Sequence, residues 1–435
     1  MATKNPTRVG RLILLPQVAS GDTPAYSNPQ SVSNIASSGQ TIECEITVPN
    51  VERSVFTRES IKSGFFELNP ISGDQHGQEF TVRFPLNGWS DSLPTASPNS
   101  STTQSSHSIF QAILGKAVFM DPNSGSPGTA AGTPDTDTIP YTAGQTYKVG
   151  SAVGLYGADA DAVNRYGMSF IKEDASDELD LLVASDVTPA AASSIYGSIT
   201  CYDDPVETTC YSMLWQSYTA NSRLLFTSAI PTSVSVVFDP RSALMAEVTF
   251  MTNTVEDASS GASTLGEFSY SLPIIQPPSG GNNARLVFQN STAGTAATDL
   301  DCEAFTMTLT QELVPAQAPG ATTGVRDMIV VNRTQEVTFS VLLGDKTPYD
   351  QTPDGKPLLD LSNPSTVGAM QLAVGDRPGR MLGVLIPKPV MMAVPSMTDL
   401  NGVFAQSYTL RAGDFQNSNS GTGDAKGSNF RVAFV

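Results

Sequence analysis

Two stretches of this chain, 257 residues apart, open in the same way: Gln78-Glu79-Phe80-Thr81-Val82 and Gln335-Glu336-Val337-Thr338-Phe339. Glu43-Cys44-Glu45 recurs as Asp301-Cys302-Glu303, 258 residues on. Ser106, a candidate helix cap, stands 257 residues before Asn363, another candidate cap. Three landmarks at nearly one offset point to a tandem duplication, because each copy has to bury its apolar face in the same way. The expected fold class is mainly β, with two tandem barrel or sandwich modules that each carry a short α-helix.

The local patterns agree. Thr41–Pro49, Ile61–Leu68 and Glu79–Leu86 are rich in β-branched and aromatic residues and bounded by Gly, Pro and Asn, which reads as strands. Ile109, Phe110, Ile113 and Leu114 fall at helical spacing, with Ser106 to cap the start and Gly115 to close the end. In the second copy Asn363 precedes Pro364, Val367, Met370 and Val374 form the stripe, and Gly375 ends it, so a second helix is expected there. After that point the copies differ in length. The second runs from Gly375 to Met381–Ile386 almost at once, whereas the first reaches the comparable Leu224–Ile230 only after about 100 further residues. The expected organisation is an N-terminal arm over 1–40, a first module over 41–115 and 205–275, an inserted small β module over 116–204, and a second module over 276–435. Strands at Val234–Phe238, Met245–Met251, Val390–Val394 and Val403–Leu410 would complete the two copies, with Thr254–Gly266 and Pro277–Asn283 as loops.

Charge narrows the function classes. Only 15% of residues are charged, against roughly 25% in ordinary globular chains. The net charge is −18, a field that repels nucleic acid and disfavours tight DNA binding. Leu12-Ile13-Leu14-Leu15 is too short for a signal-peptide core and stops at Pro16, and no run approaches transmembrane length, so a soluble product made in the cytosol is expected.

Residues able to carry chemistry are few. His76 lies in the turn Gly73-Asp74-Gln75-His76-Gly77 and His107 at a helix start, and both read as exposed or loosely packed. There is no GxSxG, no GK[ST] phosphate loop and no HExxH. The chain is therefore expected not to be an enzyme, with no catalytic residue, cofactor or metal ligand. A carbohydrate hydrolase, the enzyme class weighed against this, needs two carboxylates about 5–9.5 Å apart. Cys44 and Cys302 read as equivalent buried positions. Cys201 and Cys210 flank the turn Asp203-Asp204-Pro205, so they are either free thiols, as a reducing compartment favours, or a disulfide across a hairpin. Asp159, Asp161, Glu173, Asp174, Asp177, Glu178, Asp180 and Asp186 lack calcium-loop spacing and read as a solvated acidic face. Val390-Met391-Met392, Trp89 and Trp215 read as packing residues.

The opening Met1-Ala2-Thr3-Lys4-Asn5, the duplicated module with its short helix, and the closing stretch together resemble the tail tube proteins (major tail proteins) of long-tailed bacteriophages. The closing stretch comprises Gly379–Pro389, Val394-Pro395, Asp399-Leu400-Asn401-Gly402, Ala412-Gly413-Asp414 and Phe430–Val435. The resemblance covers roughly residues 40–115 and 205–435. It implies a virion protein of the tail, made in the host bacterial cytoplasm, whose β modules line stacked rings that form a hollow, acidic-walled conduit for DNA. Two modules per chain would give trimeric rings with pseudo-sixfold symmetry. Implied partners are further copies of the chain and the tape measure, terminator and baseplate or tip proteins, with DNA passing through without tight binding and no membrane. The insertion is outside the resemblance and is expected to project outward from the ring. The arm, with Lys4, Arg8 and Arg11, is expected to dock on a neighbouring subunit and tie rings together. The alternative reading is another β-rich virion protein, a capsid decoration or receptor-binding protein, with the insertion as its recognition domain.

Overall fold

The computed structural model describes residues 9–20, 25–47, 55–58, 68–72, 78–90, 94–98, 105–157, 165–185, 188–204, 209–217, 223–238, 243–258, 274, 284–289, 298–300, 302–318, 325–342, 369–375, 377–393, 396–400, 403–413 and 427–435. The fold is mainly β. The first half runs β1 (Val9–Pro16), a 3-10 turn (Ala25–Ser27), α1 (Val32–Ser38), β2 (Gln40–Thr47), β3 (Val55–Arg58), β4 (Leu68–Ser72), β5 (Gln78–Pro85), α2 (Ser105–Leu114) and β6 (Gly115–Phe119). Then come β7 (Gly128–Thr129), β8 (Thr138–Pro140), β9 (Ala152–Tyr156), β10 (Arg165–Ala175), β11 (Glu178–Leu181) and β12 (Ser194–Tyr196). The chain returns through β13 (Ile199–Asp203), β14 (Tyr211–Ser217), β15 (Arg223–Phe238), β16 (Met245–Thr252) and β17 (Thr254–Asp257).

Strands β14, β1, β2, β5, β16 and β15 close on themselves, because β15 also pairs β14. Closure depends on a bend in β15. Its residues 223–229 pair β14, and its residues 233–238 pair β20 (Cys302–Gln317). The bend falls between Ser228, at φ +54, and the irregularity at Pro231–Ser233, where proline has no N–H to give a ladder. The interior is filled by Leu12, Leu14, Ile42, Phe80, Val82, Phe84, Phe226, Val248 and Phe250, with Phe80 stacked on Phe226 at 4.2 Å. The expected first-copy helix is present as α2. Ser106 is not its cap, however: it lies inside the helix, fully buried, and its hydroxyl accepts the Asn87 N–H.

The second half adds β18 (Ala284–Gln289), β19 (Thr298–Leu300), the long hairpin of β20 and β21 (Val325–Leu342), β22 (Ala369–Gly375), β23 (Met381–Ile386), β24 (Pro389–Met391), β25 (Ser396–Leu400), β26 (Val403–Ala412) and β27 (Arg431–Phe434). Strands β20, β21, β26 and β24 continue the first sheet, while β19, β18, β22, β23, β27, β13 and β6 form a seven-stranded sheet that packs on it. Within the long sheet one row occurs twice. Thr47, Thr81 and Thr249 sit side by side on β2, β5 and β16, and Thr306, Thr338 and Thr409 do so on β20, β21 and β26. The next rung is apolar both times: Ile46, Val82 and Val248 in one case, Phe305, Phe339 and Tyr408 in the other. Cys302 stands one residue farther from its threonine than Cys44 does from Thr47, and the bulge between Cys302 and Ala304 absorbs the difference. Glu45 faces Arg83 and Ala304 faces Ser340, and the next rung carries Cys44 in one case and Cys302, facing Val341, in the other.

The second expected helix is corrected in part. Asn363 and Val367 lie outside the described residues, and Met370 and Val374 belong to strand β22. A spacing of four places side chains on one face of a strand as well as of a helix, so the stripe could not separate the two. All seven residues of β22 are buried. Met370, Leu372 and Val374 face the main core, and Ala369 and Ala373 face the insertion.

The insertion is a small barrel in its own right. Its strands run in the order β7, β12, β9, β10, β11, β8, and the ends meet through Ala131 N–H to Pro140 O at 2.8 Å and Thr142 N–H to Thr129 O at 3.1 Å. Ile139, Val153, Leu155, Ile171, Leu179 and Ile195 fill it. Strands β6 and β13, inside the 116–204 expected for the insertion, belong to the seven-stranded sheet instead. The barrel is not a free projection. Its outer residues Met168, Phe170 and Tyr196 pack on Ala369, Ala373, Met381, Leu385 and Ala433, so strands β22, β23 and β27 of the seven-stranded sheet are buried on both faces. Gln371 Nε2 donates to Met168 O at 3.0 Å and Arg285 donates to Ala184 O at 2.7 Å across this contact.

The arm is also corrected. Residues 9–16 are not a tether to a neighbour but a strand of the closed barrel, paired to β2 and β14 of the same chain. Leu12 and Leu14 point into the main core, while Ile13 packs outside with Ile35 of α1 and Leu214. Ser31 caps α1 by accepting the Asn34 N–H at 3.3 Å. Lys4 and Arg8 lie outside the described residues.

Candidate interaction surface

The residues singled out for chemistry are dispersed and mostly buried. His107 is not loosely packed: it is 4% exposed inside α2, its ring edge-on to Phe119 at 5.5 Å. Burial lowers its pKa to about 4, so it stays neutral near pH 7. His76 lies outside the described residues. All four cysteines are free thiols. Cys201 lies on β13 of the seven-stranded sheet and donates to His107 O, whereas Cys210 precedes β14 of the barrel and donates to Gln17 Oε1. They therefore sit in different sheets rather than across a hairpin. Burial pushes the Cys44 and Cys210 thiols up to about 12, which removes thiolate reactivity.

Among the described acids, Glu173, Asp177 and Glu178 are exposed around the β10–β11 turn, and Asp174 accepts the Tyr141 hydroxyl at 2.6 Å. Asp159, Asp161 and Asp186 lie outside the described residues. No group of three or more His, Cys, Asp or Glu among the described residues could hold a metal ion. Trp215 is buried in the main core and Trp89 packs against it. No helix among the described residues is long and apolar enough to cross a membrane.

Sequence reading missed the feature that stands out on the surface, the far end of the β20–β21 hairpin. β20 keeps β15 as a neighbour only to Thr310, and β21 gains β26 only from Glu336 onward. Beyond those points the two strands continue as a ribbon to Gln317 and Val325, and no described backbone ladder covers its outer edges. One face of the ribbon is held: Leu313, Val325 and Met328 pack on Tyr26, Cys210 and Ile230. The other face is open. Val314 and Ile329 are cross-strand partners, and with Val331 they are 44%, 53% and 54% exposed. β-branched residues on a two-stranded ribbon gain most by packing against another surface, and free edges offer N–H and C=O groups for pairing. The sequence shows Leu313-Val314 and the unbroken run Met328-Ile329-Val330-Val331, apolar on both faces of the strands, and nothing in it says which face the core covers.

The root of the ribbon is anchored by Arg333, whose guanidinium donates to Leu114 O, the end of α2, at 2.8 Å and to Asp204 O. It borders a cavity of about 340 Å³ lined by Asp203, Asp204, Val330, Asn332, Gln335 and Asn429. Burial raises the Asp203 carboxyl to about 6. No protein-family model matches the chain, and its sequence matches no curated protein.

Proposed function

We propose that the chain is a structural subunit of a bacteriophage tail that assembles with its own copies into stacked rings, forming a tube through which DNA passes. The observation that carries this reading is the doubled three-strand unit, the threonine rows of β2, β5, β16 and of β20, β21, β26, set side by side in one continuous sheet. Two like units in one chain are what a duplicated ring module would present, and three such chains supply six like positions around an axis. The open ribbon face supports assembly, since an isolated monomer gains nothing by exposing Val314, Ile329 and Val331 together. The net charge of −18 supports a conduit rather than a DNA-binding role, because an acidic wall repels phosphates over roughly 8 Å at physiological ionic strength.

Negative-stain electron microscopy of the purified full chain, with light scattering on the same sample, tests the reading. Rings or tubes with a central channel are expected. A monodisperse monomer at every concentration would overturn it.

A further inference from the structure

Asp203 ends β13 where three parts of the fold meet. Its Oδ1 accepts the Phe430 N–H at 2.9 Å, and Phe430 O accepts the Asp203 N–H at 3.4 Å, so the two residues close on each other just before β27. The next residue, Arg431, is 3% exposed. Its Nε donates to Ser428 Oγ at 2.9 Å and its Nη1 to Gly150 O of the inserted barrel at 3.3 Å. Arg333, at the root of the ribbon, also feels the Asp203 charge. Among the described residues, Asp204 and Lys116 of β6 pair with each other beside it at 3.5 Å. The cavity bordering Asp203 is also lined by Val331, which is 54% exposed, so it reaches the surface.

We propose that the Asp203 carboxyl is a proton-controlled clasp on the entry to β27, closed most firmly when the carboxyl is neutral and released more readily when it is ionised. A neutral carboxyl still offers its carbonyl oxygen to the Phe430 N–H, while the ionised form has to sit largely out of water. Desolvation outweighs the hydrogen bonds and the Arg431 charge that favour ionisation, and holds the group near 6 rather than the ordinary 3.8. In an opened clasp the carboxylate meets water and returns to its ordinary value. The closed form therefore binds the proton more tightly than the open one. Closure is favoured as pH falls from about 6 towards about 4, and opening as pH rises through about 6. Release at 203 and 430 also frees the Arg431 link to the inserted barrel and the charge opposite Arg333, so the seating of the barrel and the root of the ribbon follow the clasp. This inference stands whether or not the chain assembles into tubes.

Hydrogen exchange read by mass spectrometry on the full chain tests it, at a series of pH values from about 5 to about 7.5 and corrected for intrinsic rates. Protection of the peptide spanning 427–435 should fall by up to ~10-fold across that range, the share of the displaced ionisation between 3.8 and about 6 that lies above about pH 5. Peptides from the interior of the inserted barrel, such as β9 and β12, should not share that slope. Asp203→Asn keeps an acceptor oxygen but cannot ionise, and should flatten the dependence. A flat profile in the unaltered chain would overturn the proposal. So would an equal slope in the barrel peptides, which would mark global unfolding, or a slope retained in Asp203→Asn.

Discussion

Phe170 reports whether the inserted barrel is part of the body or an appendage. The residue lies on β10 and is fully buried, but on the outside of the small barrel, against Ala369, Ala373, Leu385 and Ala433 of the seven-stranded sheet. Its neighbour Ile171 faces the barrel interior. A buried aromatic side chain removes about 150–250 Å² from water, which at about 25 cal/mol per Å² is ~4–6 kcal/mol. Alanine keeps a little of that area and the hole closes only in part, so Phe170→Ala should cost about 3–5 kcal/mol. On a free-standing barrel the same residue would face solvent and the change would stay within about 0.5 kcal/mol. The assay is urea unfolding followed by tryptophan fluorescence. Trp89 and Trp215 both lie in the body rather than the insertion, so they register the barrel only if the two unfold together. With a slope of about 3 kcal/mol per M for a chain of this size, the midpoint should fall by about 1–1.7 M. Ile171→Ala serves as the companion change, expected to be costly in either arrangement. A Phe170→Ala midpoint within about 0.2 M of the unaltered chain, alongside a destabilised Ile171→Ala, would refute the docked arrangement.

Leu12→Ala should lower stability by about 2–5 kcal/mol, because β1 is a strand of the closed barrel; an unchanged urea midpoint would restore the tether reading of the arm. Replacing Val314, Ile329 and Val331 together by Ser should leave the monomer's thermal unfolding close to unaltered while suppressing rings or tubes in electron micrographs; assembly at undiminished yield would remove the ribbon face from the interface. His107 adds a pH dependence of definite sign. Its folded pKa of about 4 lies below the ordinary 6.5, so the unfolded chain binds the extra proton, and stability falls as pH drops from about 6.5 towards 4, by about 3 kcal/mol at most. His107→Gln should flatten that part of the profile in urea titrations at about pH 7 and about pH 4.5, and an unchanged slope would place the acid sensitivity elsewhere.

Several elements were legible because their determinants are local. Met381–Ile386 is a strand with the bounds its apolar run suggests, and α2 follows the spacing of Ile109, Phe110, Ile113 and Leu114 and stops at Gly115, whose φ of +117 suits glycine. The candidate surface was much less legible. Val314, Ile329 and Val331 differ from buried strand residues only in that no neighbour covers them, and a neighbour is a property of the fold. The acidic β10–β11 turn read correctly as solvated, whereas His107 read as loose because a helix start does not reveal that Phe119 and β13 close over it.

By itself the sequence determined a strand-dominated class, the position of the first helix and the acidic charge, all of which follow from residue types and periods of two or 3.6. Tertiary structure decided the rest. Leu12-Ile13-Leu14-Leu15 has no alternation, since β1 is covered by the core on one face and by α1 on the other. β22 offered the same ambiguity, being buried by the main core and by the inserted barrel. Of the threonine rows the sequence displayed only Thr81 and Thr338, at the 257-residue offset; Thr47 and Thr306 lie 259 apart and Thr249 and Thr409 only 160. Intervening segments of unequal length erase a common period from the chain, and only strand pairing, which fixes register across space, brings the like residues back into line.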